Sequence, residues 1–248
     1  MNRELLSLDE MRALKKQHGL TNEMIAERSG VPLGTVQKVL SGITRVPRRE
    51  TRRAIEQVLL NQRDARQGSY TIEDYLSTPE DRRVELIDGC FYDMASPRLI
   101  HQVILGELHV QFHHCMESHP DCELFMAPSD VRLDRDDRTV VQPDLFIVCG
   151  RKDNDRRMVN GAPDLVVEIL SPGNRQHDMF LKLNKYRIAG VREYWIVDPE
   201  TQKVIIYDLE RDMPPEIYLF SDIIPVKISK GTCRIDFSVI KERITRYQ

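Results

Sequence analysis

The sequence predicts two domains of different class, a small all-α head followed by an α/β (α+β) body with a mixed sheet flanked by helices. Three observations carry this expectation. Apolar residues recur at helical spacing up to about residue 60, whereas beyond it short β-rich runs alternate with two helical patterns. Between the two, NQRDARQGS over residues 61–69 is polar, ends in Gly-Ser and holds no apolar residue larger than Ala65, the composition of a linker. Charge divides at the same place: residues 1–62 hold 11 Lys and Arg against 7 Asp and Glu, the remainder 25 against 32, so that +4 and −7 underlie the net −3. The expected domains are 1–60 and 70–248, joined by the linker, with the basic head suited to a polyanion and the acidic body to acid-based chemistry.

Composition excludes several classes. No run approaches the roughly 18 apolar residues of a membrane span. The N-terminal MNRELLSLDEMRALKK has acids and no apolar core of a signal peptide. Cysteines at 90, 115, 122, 149 and 233 form no CxxC pair, and an odd count without an export signal predicts reduced thiols in a cytoplasm.

In the head, LSLDEMRALKKQHG reads as a first helix and TNEMIAERSG as a second, with Thr21 as N-cap and Gly30 as stop. VPLGTVQKVLSG reads as a third and, after the break at Val46-Pro47, PRRETRRAIEQVLL as a fourth. Ile25, Ala26, Val31, Val36 and Leu40 have the spacing that closes two short helices over one core, the helix-turn-helix pattern. The run LTNEMIAERSGVPLGTVQKVLSG resembles the Cro-type, lambda-repressor-like DNA-binding domains over about residues 5–60, most specifically in Ala26, Gly30, Val31 and Val36. That resemblance implies a partner, double-stranded DNA, and an exposed reading face of Leu33, Gly34, Thr35, Gln37 and Lys38. Gln37 suits an adenine edge and Lys38 a guanine or a phosphate. Arg45, Arg48, Arg49, Arg52 and Arg53 form a cluster for phosphate contacts. A helical bundle that binds protein or a dimer mate is the alternative.

In the body, VELID-GC-FYDMA predicts a hairpin bent at Asp88-Gly89, and RLIHQVILGELHVQFHHCMESH an amphipathic helix. CELFMAP, DVRLD, TVVQPDLFIV and DLVVEIL read as strands, QHDMFLKLNKYRIAG as a second helix, and EYWIVDP with QKVIIYDLE as the end of a sheet. Tyr194 and Trp195 read as core. Two acids interrupt apolar strands: Asp144 in VVQPDLFIV and Glu168 in DLVVEILSP. A buried acid is costly unless paired, hydrogen-bonded or bound to metal. Two on neighbouring strands suit one hard cation, Mg²⁺ or Mn²⁺, which activates water for phosphodiester chemistry. HHCMESHPDC gathers His113, His114, Cys115, His119 and Cys122, but without a second half of matching spacing it reads as a helix end running into a turn rather than a zinc site.

Pro143-Asp144 followed by Glu168-Ile169-Leu170 resembles the PD-(D/E)XK nuclease superfamily, with Leu170 where that signature has lysine. Asp178, Lys182 and Tyr186 fall on one helical stripe beside Met179 and Leu183, placing Lys182 toward the sheet and Lys185 toward solvent. A lysine moved onto this helix is similar to the Uma-type restriction endonucleases. The matching words are VELIDG, PDL, GAPDLVVEILSP, D-x3-K-x3-Y and GVREYWIVDP, over about residues 70–210. The resemblance implies a restriction-endonuclease-like fold and an endonuclease hydrolysing DNA phosphodiester bonds. Asp144, Glu168 and Lys182 would be the catalytic set, with Glu85 a fourth acidic position and Mg²⁺ or Mn²⁺ on Asp144 and Glu168. His101 matches a histidine common in the family and otherwise reads as a satisfied helix histidine. Double-strand cleavage would favour a homodimer. The alternatives are a buried ion pair of the two acids with Lys182, and a non-catalytic transcriptional regulator or antitoxin-like protein on a degenerate nuclease fold.

Overall fold

The computed structural model describes residues 6–17, 21–44, 47–60, 67–79, 82–94, 96–133, 137–150, 157–171 and 181–247, and divides into two compact units, 1–67 and 68–248. Most of the expected linker, 61–66, lies outside the described residues, as do Arg45, Asp178 and Met179.

The first unit is all helical: α1 (Leu8–Gln17), α2 (Asn22–Ser29), α3 (Leu33–Ser41) and α4 (Arg49–Leu60). Thr21 Oγ1 accepts from the Met24 N–H and caps α2, and Gly30, at φ 67°, turns the chain out of it. Ile25, Val36, Ile55 and Leu59 are fully buried in its core. Gln37, Lys38, Arg48, Arg49 and Arg53 are exposed and Thr35 half-buried. Arg52 departs from the phosphate cluster: it bonds Glu56 at 3.0 Å and the Leu6 carbonyl, tying α4 to the segment before α1.

The second unit begins with α5 (Ile72–Leu76) and the hairpin β1 (Val84–Ile87) and β2 (Cys90–Asp93). Asp88 and Gly89, at φ 50° and 73°, make the expected two-residue turn. Helix α6 (Leu99–Met116) leads to β3 (Cys122–Met126), β4 (Asp130–Arg132), β5 (Val140–Val141), β6 (Leu145–Cys149), β7 (Met158–Asn160) and β8 (Leu165–Ile169). Then follow α7 (Leu183–Ala189), β9 (Glu193–Asp198), β10 (Lys203–Asp208), β11 (Glu216–Leu219), β12 (Ile223–Pro225), β13 (Arg234–Asp236) and α8 (Phe237–Ile244). To the two helices that the sequence predicts in the body the structure adds α5 and α8, and to its strands β7 and β11–β13.

One sheet runs β2-β1-β5-β4-β7, a second β11-β10-β9-β8-β6-β3, and β12 pairs with β13 in a small third; β8–β9 and β4–β7 are parallel. The run TVVQPDLFIV, expected as one strand, is two. Pro143 has no N–H to give a ladder, and at that point the chain leaves the first sheet as β5 and enters the second as β6. Alternation then sorts the side chains of the second sheet. Leu145, Ile147, Leu165 and Val167 pack under α6 with Phe112, Trp195 and Val197, while Phe146, Val148, Val166 and Leu170 pack on the other face with Tyr186 and Tyr194. No helix among the described residues is long and apolar enough to cross a membrane.

The expectation of reduced thiols is corrected for four of the cysteines: Cys115 is bridged to Cys233 and Cys122 to Cys149, leaving Cys90 as a thiol. Spacing gives no hint of this, because the first bridge spans 118 residues and the second joins directly opposed residues of β3 and β6. In HHCMESHPDC the two cysteines therefore belong to different bridges, and His119 Nε2 bonds Thr232 Oγ1 at 3.0 Å. A thiol assay on unfolded chain is expected to find one reactive group before reduction and all five cysteines after it. Reduction is expected to lower stability by about 3–5 kcal/mol for each bridge opened in the chain-entropy account, read from the urea midpoint. Five thiols without reductant would refute the pairing.

Candidate active site

The antiparallel register of β6 and β8 pairs Leu145 with Val167, so the ladder continued by one step sets Asp144 opposite Glu168. Both then point to the same face, because side-chain direction repeats every second residue. Asp144 Oδ2 accepts from the Ile169 N–H at 2.7 Å, which fixes the crossing. The sheet change at Pro143 brings the other sheet to the same place: the Gln142 N–H donates to Glu85 Oε1 of β1 at 2.8 Å.

Lys182 stands just before α7 and is 4% exposed. Its Nζ donates to Glu168 Oε1 at 3.0 Å and to Glu85 Oε1 at 2.9 Å, joining the two sheets through one ammonium. The Tyr186 hydroxyl, one turn along, donates to Glu168 Oε1 at 2.7 Å. The structure thus brings Glu85, Asp144, Glu168 and Lys182 together around a cavity of about 670 Å³ that is also lined by His101 and Gln142. Burial pushes the Glu168 carboxyl up to about 8; Lys182 opposes the rise, and the Asp144 and Glu85 carboxylates add to it. Burial, with Glu168 beside it, also raises Tyr186 well above a normal phenol.

Two placements differ from expectation. Lys185, expected to face solvent, is buried and donates to Asp88 Oδ1 of the hairpin turn at 2.7 Å; α7 is packed against the hairpin on that flank, which helical spacing alone does not reveal. His101, otherwise an ordinary helix histidine by sequence, reaches Asp144 Oδ2 with Nε2 at 3.1 Å, while its buried Nδ1 has no hydrogen-bond partner among the described residues. Gln142 is a site residue that sequence reasoning misses. Its Nε2 donates to Asp130 Oδ1 at 2.8 Å and to the Tyr75 hydroxyl at 3.1 Å, so the residue anchors the chain just ahead of Pro143-Asp144. Its only sequence signal is position, immediately before the Pro-Asp pair. Tyr194 and Trp195 are fully buried core, as expected.

Two carboxylates facing each other from neighbouring strands, a lysine between acids and a mixed sheet with helices on both faces define a nuclease-like protein with a helix-turn-helix unit ahead of it. The chain belongs to the Uma2 family, described as "Putative restriction endonuclease", whose model matches residues 72–226; a helix-turn-helix family model matches residues 11–59. An "Uncharacterized protein slr1290" of Synechocystis is 27% identical over 144 residues, covering 56% of this chain and 74% of that protein. The crystal structure of a "putative nuclease belonging to DUF820" from Anabaena variabilis shares the fold at TM-score 0.59 and 20% identity, over 68% of this chain and 96% of its own.

Proposed function

We propose that the protein is a DNA-binding, metal-dependent endodeoxyribonuclease. The observation that carries this reading is Lys182: Leu170 provides no charge in the strand, and a buried ammonium arrives from the start of α7 to the same carboxylate, Glu168.

The donor set fits a divalent cation. Glu85, Asp144 and Glu168 put three carboxylates against one lysine, and Asp144 Oδ1 and Glu168 Oε2 receive no hydrogen bond among the described residues. No group of three or more His, Cys, Asp or Glu forms a cage among the described residues. Mg²⁺ is commonly held by one or two carboxylates, with water and phosphate oxygens completing the shell. Asp144 and Glu168 would hold Mg²⁺ or Mn²⁺, with a backbone carbonyl near Ile169 as a further ligand. Bound there, the ion supplies Lewis acidity and lowers the pKa of its water. Lys182 would stabilise charge developing on the phosphoryl oxygens or orient the attacking water, and Glu85 would hold the ammonium in place.

The head would dock on duplex DNA, with Gln37 and Lys38 of α3 at base edges and Thr35, Arg48 and Arg49 at the backbone. In the full chain, changing Arg48 and Arg49 to Ala is expected to weaken binding to all sequences alike and to reduce the salt slope by about 1 for each arginine replaced. Gln37→Ala is expected to alter sequence preference instead. Fluorescence anisotropy at several salt concentrations reads both; unchanged affinity in the double variant would remove these arginines from the interface. A second copy of the chain would supply the site for the other strand.

The deciding experiment is cleavage of single-stranded, duplex and branched DNA with Mg²⁺ or Mn²⁺. Activity that is abolished by chelation and by Asp144→Asn is expected. No cleavage of any substrate with either metal would replace this reading with the non-catalytic regulator.

A further inference from the structure

The cleavage scheme assigns nothing to His101, although it lies in the first turn of α6, is 7% exposed and touches the most open of the three acids. Asp144 Oδ2 accepts from two elements at once, the Ile169 N–H of β8 at 2.7 Å and His101 Nε2 of α6 at 3.1 Å. A carboxylate can only accept, so the ring nitrogen facing it carries the proton. The other nitrogen, Nδ1, is buried with no hydrogen-bond partner among the described residues. A proton there would create an orphaned buried donor, which proteins avoid more strictly than an orphaned acceptor. The hydrogen-bonding geometry on both sides of the ring therefore places the donor on Nε2, facing Asp144.

We infer that His101 is a positioning residue: a fixed Nε2–H donor that, together with the Ile169 amide, saturates Asp144 Oδ2 and presents Oδ1 to the cation. The assignment rests on Asp144 being a metal ligand. It makes His101 the partner that orients a ligating carboxylate. The two donors come from a helix and a strand on different layers, so the carboxylate cannot turn without breaking one of them.

Three measurements on the full-length protein test this. In ¹⁵N imidazole spectra of the metal-free protein, His101 is expected to show a protonated Nε2 and a bare Nδ1. Mn²⁺ titration followed by the EPR signal of free Mn²⁺ is expected to show an affinity loss of about 10- to 100-fold in His101→Leu, the range for partners that orient metal ligands. His101→Gln places an amide N–H where Nε2 was and is expected to recover most of that affinity, and cleavage with it. A proton on Nδ1, an unchanged Mn²⁺ affinity in His101→Leu, or a folded His101→Gln as defective as His101→Leu would each overturn the assignment. If His101→Leu does not fold, the spectra and the Gln variant decide. Failure of the metal reading itself looks different: the parent binds no Mn²⁺, while the tautomer measurement still reports whether His101 donates to Asp144.

Discussion

Lys182→Met is expected to lower DNA cleavage by about 10²-fold or more, the order associated with removing one electrostatic interaction from the transition state. Methionine keeps the length of the buried stem and deletes only the charge. The same change leaves Glu85 and Glu168 buried without the ammonium that both now share at 2.9 and 3.0 Å. Breaking a buried pair in this way costs about 3–5 kcal/mol, read as a lower urea midpoint in metal-free protein. Saturating Mg²⁺ is expected to recover part of that stability, because the cation takes up charge that the lysine had balanced, without recovering cleavage. Lys185→Ala is the control. Its partner Asp88 is 58% exposed, and a pair open to water on one side contributes about 0–1 kcal/mol. Equal activity in parent and Lys182→Met would refute catalysis by this lysine; loss of activity in Lys185→Ala would move the essential cation one turn along the chain.

Glu168→Gln is expected to abolish stabilisation by Mg²⁺ and to flatten the pH dependence of metal-free stability. At a Mg²⁺ concentration 100 times its dissociation constant the parent should gain about 2.7 kcal/mol, and the variant none. Burial, opposed by Lys182 and reinforced by Asp144 and Glu85, places the Glu168 carboxyl at about 8 against an ordinary 4.5. Between those values the folded chain holds a proton that the unfolded chain has released. The stability contributed by this proton is complete below about 4.5 and is lost as pH rises through about 8. Mg²⁺ binds the deprotonated form, so its affinity should rise over the same interval and its presence should remove the slope. Urea unfolding at pH 6 and pH 8, with and without Mg²⁺, checks each part. A parent whose metal-free stability rises toward pH 8 would contradict the carboxylate assignment.

Much of this architecture is legible in local sequence. Thr21 and Gly30 bound α2 because a cap oxygen and a left-handed turn are short-range requirements, and Asp88-Gly89 makes its hairpin for the same kind of reason. The Pro-Asp and Val-Glu words mark the two facing acids because a charge inside an apolar strand needs a compensating partner wherever the strand ends up. The stripe through Lys182 and Tyr186 points both side chains at one target, and both reach Glu168. Expectations fail where they depend on neighbours from other elements. Arg52 looks like one more surface cation until the segment before α1 lies against it. Lys185 looks solvated until the hairpin turn does the same.

Composition, period and words of a few residues are enough to point to the helix-turn-helix head and the family of the body, and they single out Glu85, Asp144, Glu168 and Lys182, which the fold gathers around one cavity. The remainder is settled only by packing in three dimensions. Packing splits the Asp144 strand at Pro143 so that two sheets meet at one cavity, joins Cys115 to Cys233 across 118 residues, and turns His101 onto Asp144 from a helix 43 residues earlier in the chain. One cause is common to all three. Each is a contact between residues far apart in sequence, and its partner is chosen by strand register and packing of whole elements, for which no local pattern exists.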